Sequence, residues 1–303
     1  MNRRHAILLF AVAPIAALAQ TNQVLSIDDL VGMGRQFIDE NVDEDALAQL
    51  GQLDQEKVRA VLKLLQDQLD QHSVLDLAAL KRTAEEALKL LDSNTLTEDY
   101  AQWLRTRLDY FEVAGDLRVT LGPKPEAPAP VPTPAQVHDA WGRMLQQRAR
   151  PTAATKYEAR LKPIIVKNGA PRELFWLAEI ESGFDPNARS PAGAVGMYQL
   201  TAPTAKSLGL STWPFDERKN PEKSAAAAAR YLHDLHQRFK DWPLAIAAYN
   251  AGSGRVRAGL ERSKTKTFAA IASNLPSETQ MYVPKLNAVL QLREGTTLER
   301  LGR

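Results

Sequence analysis

Six of the thirteen residues from Gly122 to Pro134, GPKPEAPAPVPTP, are proline, and neither a regular helix nor a central strand can run through such a segment. With φ fixed and backbone donors missing, it favours extended polyproline II geometry at ~3.1 Å per residue, a semi-rigid spacer of about 40 Å. It also divides the charge. Between Gln20 and Leu121 stand 20 acidic and 10 basic residues, and from Ala135 to Arg303 there are 15 acidic and 25 basic. The formal net charge of +2 over 303 residues therefore combines an acidic half with a basic one. The expected organisation is a signal peptide over 1–19, an acidic helical domain over 20–121, a proline-rich linker over 122–134 and a second domain over 135–303.

Arg3 and Arg4, the apolar run from Ala6 to Leu18 and the triplet Ala17-Leu18-Ala19 have the order of a secretory signal with an A-x-A cleavage site. This predicts a periplasmic protein, with secretion as the alternative. No later stretch approaches the ~20 continuous apolar residues of a membrane span. The absence of cysteine excludes disulfides, thiol nucleophiles and thiolate metal sites. With Gln20 following the expected cut, it also excludes a cysteine-linked lipid anchor. The basic half carries no nucleic-acid recognition motif, so nucleic acid is not an expected partner.

In the acidic half, Val58, Leu62, Leu65 and Leu69 mark one helical stripe, and Leu77, Leu80, Ala84, Leu88 and Leu91 another. Ser26 can cap a helix beginning at Ile27, and Thr95 with Glu98 has capping-box spacing before Tyr100 to Val113. Four helices and no strand are expected, forming a small bundle. His72 reads as a surface residue. Acidic clusters such as Asp43-Glu44-Asp45 read as solvated surface, or as a docking face for something basic.

In the basic half, RELFWLAEIE (Arg172 to Glu181) has the length and apolar content of a buried helix. Leu174, Leu177, Ala178 and Glu181 fall on one face, so Glu181 continues an apolar stripe while Glu179 points roughly the other way. Desolvation there favours the neutral acid, the condition a general acid needs near neutral pH. Ser182-Gly183-Phe184-Asp185-Pro186 then breaks the helix, and Ser190 to Gly196 supplies glycines that allow close backbone approach. Thr201 can cap the next helix, Asn220-Pro221-Glu222 starts an alanine-rich one reaching about Lys240, and Ala248-Tyr249-Asn250-Ala251-Gly252 ends another. His233 and His236 lack zincin spacing and read as helix-surface residues, so no metal site is expected.

Taken together, IESGFDPNARSPAGAVGMYQLTAPTAKSLGL, NPEKSAAAAARYL, AAYNAGSGRV and LPSETQMYVPKL, in that order, resemble the catalytic domain of the soluble lytic transglycosylases and the related membrane-bound type D enzymes. The resemblance runs from about Arg172 to Leu290 and implies a mostly α, lysozyme-like catalytic domain, here preceded by the small helical domain and the linker. Carried over by position, Glu181 matches the single catalytic acid and base, and Ser182 the hydroxyl that supports it. Ser190 and Gln199 match polar groups lining the sugar cleft, Gly196 and Met197 its wall, and Tyr249 and Asn250 the opposite wall. Tyr282 matches a motif of chiefly structural role. Tyr198 departs from the Met or Trp common in relatives, which bears on the shape of the adjoining subsite.

Ordinary glycoside hydrolysis uses two carboxylates, whereas the matched constellation holds one, and Asp185 reads as a turn residue. The resemblance implies cleavage of the N-acetylmuramic acid to N-acetylglucosamine bond of peptidoglycan strands without water or cofactor, leaving a 1,6-anhydromuramyl end. Hydrolysis of the same bond and an inactive glycan-binding module are the alternatives.

Overall fold

The computed structural model describes residues 62–71, 73–92, 97–122 and 130–302, all within one compact unit running from Asp54 to Arg303. The signal-like segment, Ser26, Asp43 to Asp45, Val58, His72 and Thr95 lie outside the described residues. Helix α1 covers 62–69, a 3₁₀ turn follows at Leu75–Leu80, and α2 (Lys81–Asp92) leads to the long α3 (Glu98–Leu121). Leu62, Leu65, Leu69, Leu77, Ala84 and Leu91 are buried as the helical stripes require. Thr97 precedes α3 without capping it; its hydroxyl donates instead to the Leu91 carbonyl at 2.8 Å.

Trp103, Leu104, Tyr110, Phe111, Val113, Ala114 and Leu117 of α3 are all buried, too many for a helix with one solvated face. One side of α3 packs on α2 and the 3₁₀ turn. Elsewhere it meets α4 (Pro134–Gln146) and the short helix that carries Glu181. The helices on both sides of the proline-rich segment thus share one hydrophobic core. At the far end of that segment Thr133 and Gln136 form a reciprocal capping box, with Pro134 at the first helical position.

After α5 (Thr152–Lys167), the segment expected as one helix from Arg172 divides into a 3₁₀ turn at Arg172–Trp176 and α6 at Leu177–Ser182. Helix α7 (Ala202–Ser207) is capped by Thr201 and α8 (Pro221–Phe239) by Asn220, both as expected. Helix α9 (Trp242–Ala251) is capped by Asp241, which accepts from the Leu244 amide at 2.8 Å. Helices α10 (Ser253–Arg262) and α11 (Phe268–Ile271) lead to α12 (Ser277–Glu294). Trp242 to Ala248 of α9 and Ser277 to Leu286 of α12 are buried without a break, which makes these two packed helices the centre of the fold.

Among the described residues there are two isolated bridges, Arg189–Val195 and Val195–Leu200, and no sheet; the architecture is mostly α, as expected. No helix among them is long and apolar enough to cross a membrane. His233 lies 2.9 Å from the Gly169 carbonyl while His236 stacks on Trp242 at 4.1 Å, so the two histidines face different neighbours.

Candidate active site

Glu181 sits in the last turn of α6 and is 4% exposed. The helix ends there because Gly183 adopts φ +61°, with the Phe184 amide donating to Ala178 O and the Gly183 amide to Glu179 O, both at 3.1 Å. A side chain at Gly183 would meet Gln102 Nε2 at 2.6 Å, and that same nitrogen donates to the Ser182 carbonyl at 2.8 Å. Phe184, also at positive φ, is buried against Phe175 and Trp176. Glu179 leaves the opposite side of the turn and accepts from Arg293 at 3.0 and 3.3 Å.

The Glu181 carboxyl faces two donors from distant parts of the chain. Tyr282 of α12 donates its hydroxyl to Oε1, and Arg107 of α3 places Nη2 3.6 Å from Oε2. The same Nη2 donates to Glu278 Oε1 at 3.0 Å, while Nη1 donates to the Glu181 carbonyl at 2.9 Å. Burial outweighs Arg107 and the Tyr282 hydrogen bond, and pushes the Glu181 carboxyl up to about 7. Burial and the Glu181 charge push the Tyr282 and Tyr249 phenols well above their ordinary range, so both hydroxyls keep their protons.

The Ser182 hydroxyl donates to the Met197 carbonyl at 2.9 Å and accepts from the Asp185 amide at 3.1 Å. It therefore ties α6 to the glycine-rich loop; the hydroxyl on the carboxylate is that of Tyr282. Within the loop, Ser190 accepts from the Ala194 amide at 3.0 Å, and Gln199, at φ +46°, donates to the carbonyls of Ala188 and Gly196 at 3.1 and 2.9 Å. Gln199 Oε1 is buried with no hydrogen-bond partner among the described residues. Met197 is buried, and Gly196, at φ +87°, passes so close to the Arg218 carbonyl that an added Cβ would stand 2.1 Å from it. On the other wall Tyr249 donates to the Tyr198 carbonyl at 2.7 Å, and Asn250 Oδ1 accepts from Thr279 at 2.6 Å.

Four residues of this assembly carry no signal in the local pattern. No local pattern links Arg107 or Glu278 to Glu181, and the resemblance gives Tyr282 a chiefly structural role rather than a place at the carboxyl. Arg218 donates to the carbonyls of Gly193 and Leu200 at 3.1 and 3.0 Å while Asp216 holds its other nitrogens, so it cements the loop from behind. The hint available in the sequence was the polar run Ser277-Glu278-Thr279-Gln280 in a segment otherwise apolar enough to be buried.

The constellation can now be set beside known proteins. Residues 164–272 match the transglycosylase SLT domain. The SLT match contains Glu181, the loop with Ser190 and Gln199, Tyr249, Asn250 and Arg218, and it ends before Glu278 and Tyr282, although the sequence resemblance extends that far. Arg107 also lies outside it. Among curated relatives, membrane-bound lytic murein transglycosylase D of Escherichia coli strain K12 is 38% identical over 138 residues, covering 44% of this chain and 30% of that protein. Peptidoglycan transglycosylase gp16 of Escherichia phage T7 is 38% identical over 135 residues, covering 43% of this chain and 10% of that protein. The chain thus spans a third or less of the length of these relatives. Among solved structures, the lytic transglycosylase Slt of Pseudomonas aeruginosa aligns with a TM-score of 0.43 at 20% identity, covering 79% of this chain and 44% of that one.

Holding an acid protonated has a cost that can be measured. From the ordinary carboxyl value of 4.5 to about 7, the unfolded chain has released the proton that the fold retains, so stability falls as pH rises through that window. Glu181→Gln removes this loss. Its stability relative to the parent is expected to rise between about pH 4 and pH 8 by on the order of 3 kcal/mol, read by urea unfolding at the two pH values. A pH-independent difference would mean that the fold does not hold Glu181 protonated.

Proposed function

We propose that this protein is a lytic transglycosylase that cleaves the β-1,4 bond between N-acetylmuramic acid and N-acetylglucosamine in peptidoglycan strands, through a lysozyme-like catalytic domain, and leaves a 1,6-anhydromuramyl end. The carrying observation is one buried carboxyl, Glu181, whose affinity for its proton lies close to neutrality and which a tyrosine hydroxyl orients. A group with that property can give a proton and take one back in the same turnover.

In the first step the Glu181 acid protonates the glycosidic oxygen, the C1–O bond breaks, and the N-acetylglucosamine side leaves as an alcohol. The substrate's own 2-acetamido group stabilises the cationic C1. In the second step the Glu181 carboxylate removes the proton of the muramyl C6 hydroxyl, whose oxygen bonds to C1, and the acid is regenerated. No water is consumed. Most glycoside hydrolases use a second carboxylate, free to activate water or attack C1. Glu278 is the nearby candidate, yet it is 6% exposed and both its oxygens are engaged, one by Arg107 and the other by Gln66 at 3.3 Å. Asp185 Oδ1 accepts from the Asn187 amide in a turn, as its spacing before Pro186 implies.

Ser182, Ser190, Gly196, Met197, Gln199, Tyr249 and Asn250 are assigned to shaping and lining the sugar cleft, most directly Gln199 through its Oε1, which is unpartnered among the described residues. The signal-like N-terminus supports a reaction in the periplasm or outside the cell, where the basic half would meet the carboxylates of the peptide stems; the acidic clusters of 20–121 would face basic cell-wall proteins. Purified sacculi digested with the protein are expected to release muropeptides one water lighter than hydrolytic products, measured by mass spectrometry. Products of hydrolytic mass would replace this reading with a muramidase, and no release would leave a binding module.

A further inference from the structure

Arg107 is buried to 4% exposure, and its guanidinium has more to do than hold α3 against the core. It donates to the Glu181 carbonyl, one of the acceptors that a short helix leaves unsatisfied in its last turn, and to the Thr106 hydroxyl at 2.8 Å. Its Nη2 stands between two buried carboxyl groups, 3.0 Å from Glu278 and 3.6 Å from Glu181. One guanidinium cannot neutralise both. Glu278 makes the shorter contact, so the pair of Arg107 with Glu278 is already charge-balanced when Glu181 carries its proton, and ionising Glu181 adds an uncompensated negative charge to a dry site.

We infer that Arg107, supplied by the helix ahead of the proline-rich segment and outside the SLT match, is a positioning residue for the catalytic acid, and that Glu278 is the counter-charge that keeps Arg107 from holding Glu181 permanently as a carboxylate. The two act in opposite directions on one group. Arg107 favours the Glu181 carboxylate, and Glu278 disfavours it both by repulsion and by occupying Arg107. Around these groups also stand the phenols of Tyr282, Tyr249 and Tyr110, all held protonated by burial, the Gln66 amide 3.3 Å from Glu278, Asp70, whose carboxyl burial and the Glu278 charge push up, and Lys285, which donates to the Thr106 carbonyl at 3.0 Å and lies 3.6 Å from Asp109. Glu179 is turned away and paired with Arg293. None of these can replace either partner. This inference rests on Glu181 being the acid of the proposed reaction.

The test uses the full chain, with Glu278→Gln and Arg107→Gln made separately. The Glu181 titration is followed by NMR of ¹³C-labelled glutamate carboxyls, its resonance assigned by its loss in Glu181→Gln, alongside the alkaline limb of the pH–rate profile on sacculi. Glu278→Gln is expected to move both midpoints down by about one pH unit or more, and Arg107→Gln to move both up by a similar amount. A purely structural role would slow the reaction without opposite displacements. Shifts of the same sign, or none, in folded variants would overturn the inference. Should Arg107→Gln fail to fold, the near-isosteric Glu278→Gln still decides, since an unmoved or raised Glu181 titration refutes the counter-charge. Opposite NMR shifts in a protein that releases no muropeptide would leave this inference standing and remove the proposed reaction; release with unmoved titrations would do the reverse.

Discussion

Glu181→Gln is expected to leave a folded protein whose release of muropeptides from sacculi falls by a factor of about 10³ or more. General acid catalysis contributes about 10²–10⁴-fold for one proton transfer. In the proposed mechanism the same group serves both transfers, and no other carboxyl among the described residues is placed to take over either one: Glu278 is held by Arg107 and Gln66, and Glu179 by Arg293. The amide keeps the size of the carboxyl and can still accept from Tyr282, so cleft shape and sacculus binding should persist. A co-sedimentation assay on the same preparation separates the two effects. Retained lysis by a folded Glu181→Gln protein would remove Glu181 as the acid and with it the mechanism above.

The second large effect lies in the wall of the site. At Gly196 two constraints coincide: φ is +87°, which a side chain strains, and an added Cβ would lie 2.1 Å from the Arg218 carbonyl, a backbone atom that cannot rotate away. Gly193, in the same loop at φ +80°, has nothing within 4 Å of the corresponding position. Gly193→Ala is therefore expected to cost about 1–2 kcal/mol from conformation alone, and Gly196→Ala about 3 kcal/mol or more once the overlap is added. Because Met197 follows Gly196 and its carbonyl anchors Ser182, the displaced loop should also disturb the turn that ends at Glu181. Urea unfolding of both variants checks the difference. Equal losses would mean that the contact with Arg218 is not tight in solution.

How much of this could be read from the residues alone depends on the range of the interactions. Thr201 and Asn220 set helix starts through contacts within a few positions of themselves, so composition and spacing suffice to find them. The buried stripe that ends at Glu181 is equally local, and it marks Glu181 as a carboxyl without water. The break of the same segment into a 3₁₀ turn followed by α6 has no such marker. It depends on how Leu174, Phe175 and Trp176 are accommodated by the rest of the core. Ser182 illustrates the limit: a hydroxyl next to the acid in sequence points away from it, because a helix turns adjacent side chains about 100° apart.

The sequence by itself determined a mostly helical chain, a proline-rich break at Gly122 to Pro134 and a single acid embedded in an apolar stripe. The tertiary structure alone decided what that acid touches. Tyr282 reaches it from 101 residues away, and Arg107 from 74 residues away on the other side of the proline-rich segment, with Glu278 a further partner 171 residues from Arg107. A charge difference between the two halves of the chain is a sum over all their residues, buried and exposed alike, and carries no information about which charges meet. Burial selected one arginine from the acidic half and set it beside α6, because a carboxyl removed from water needs partners that also leave it, and only a folded core brings such groups together.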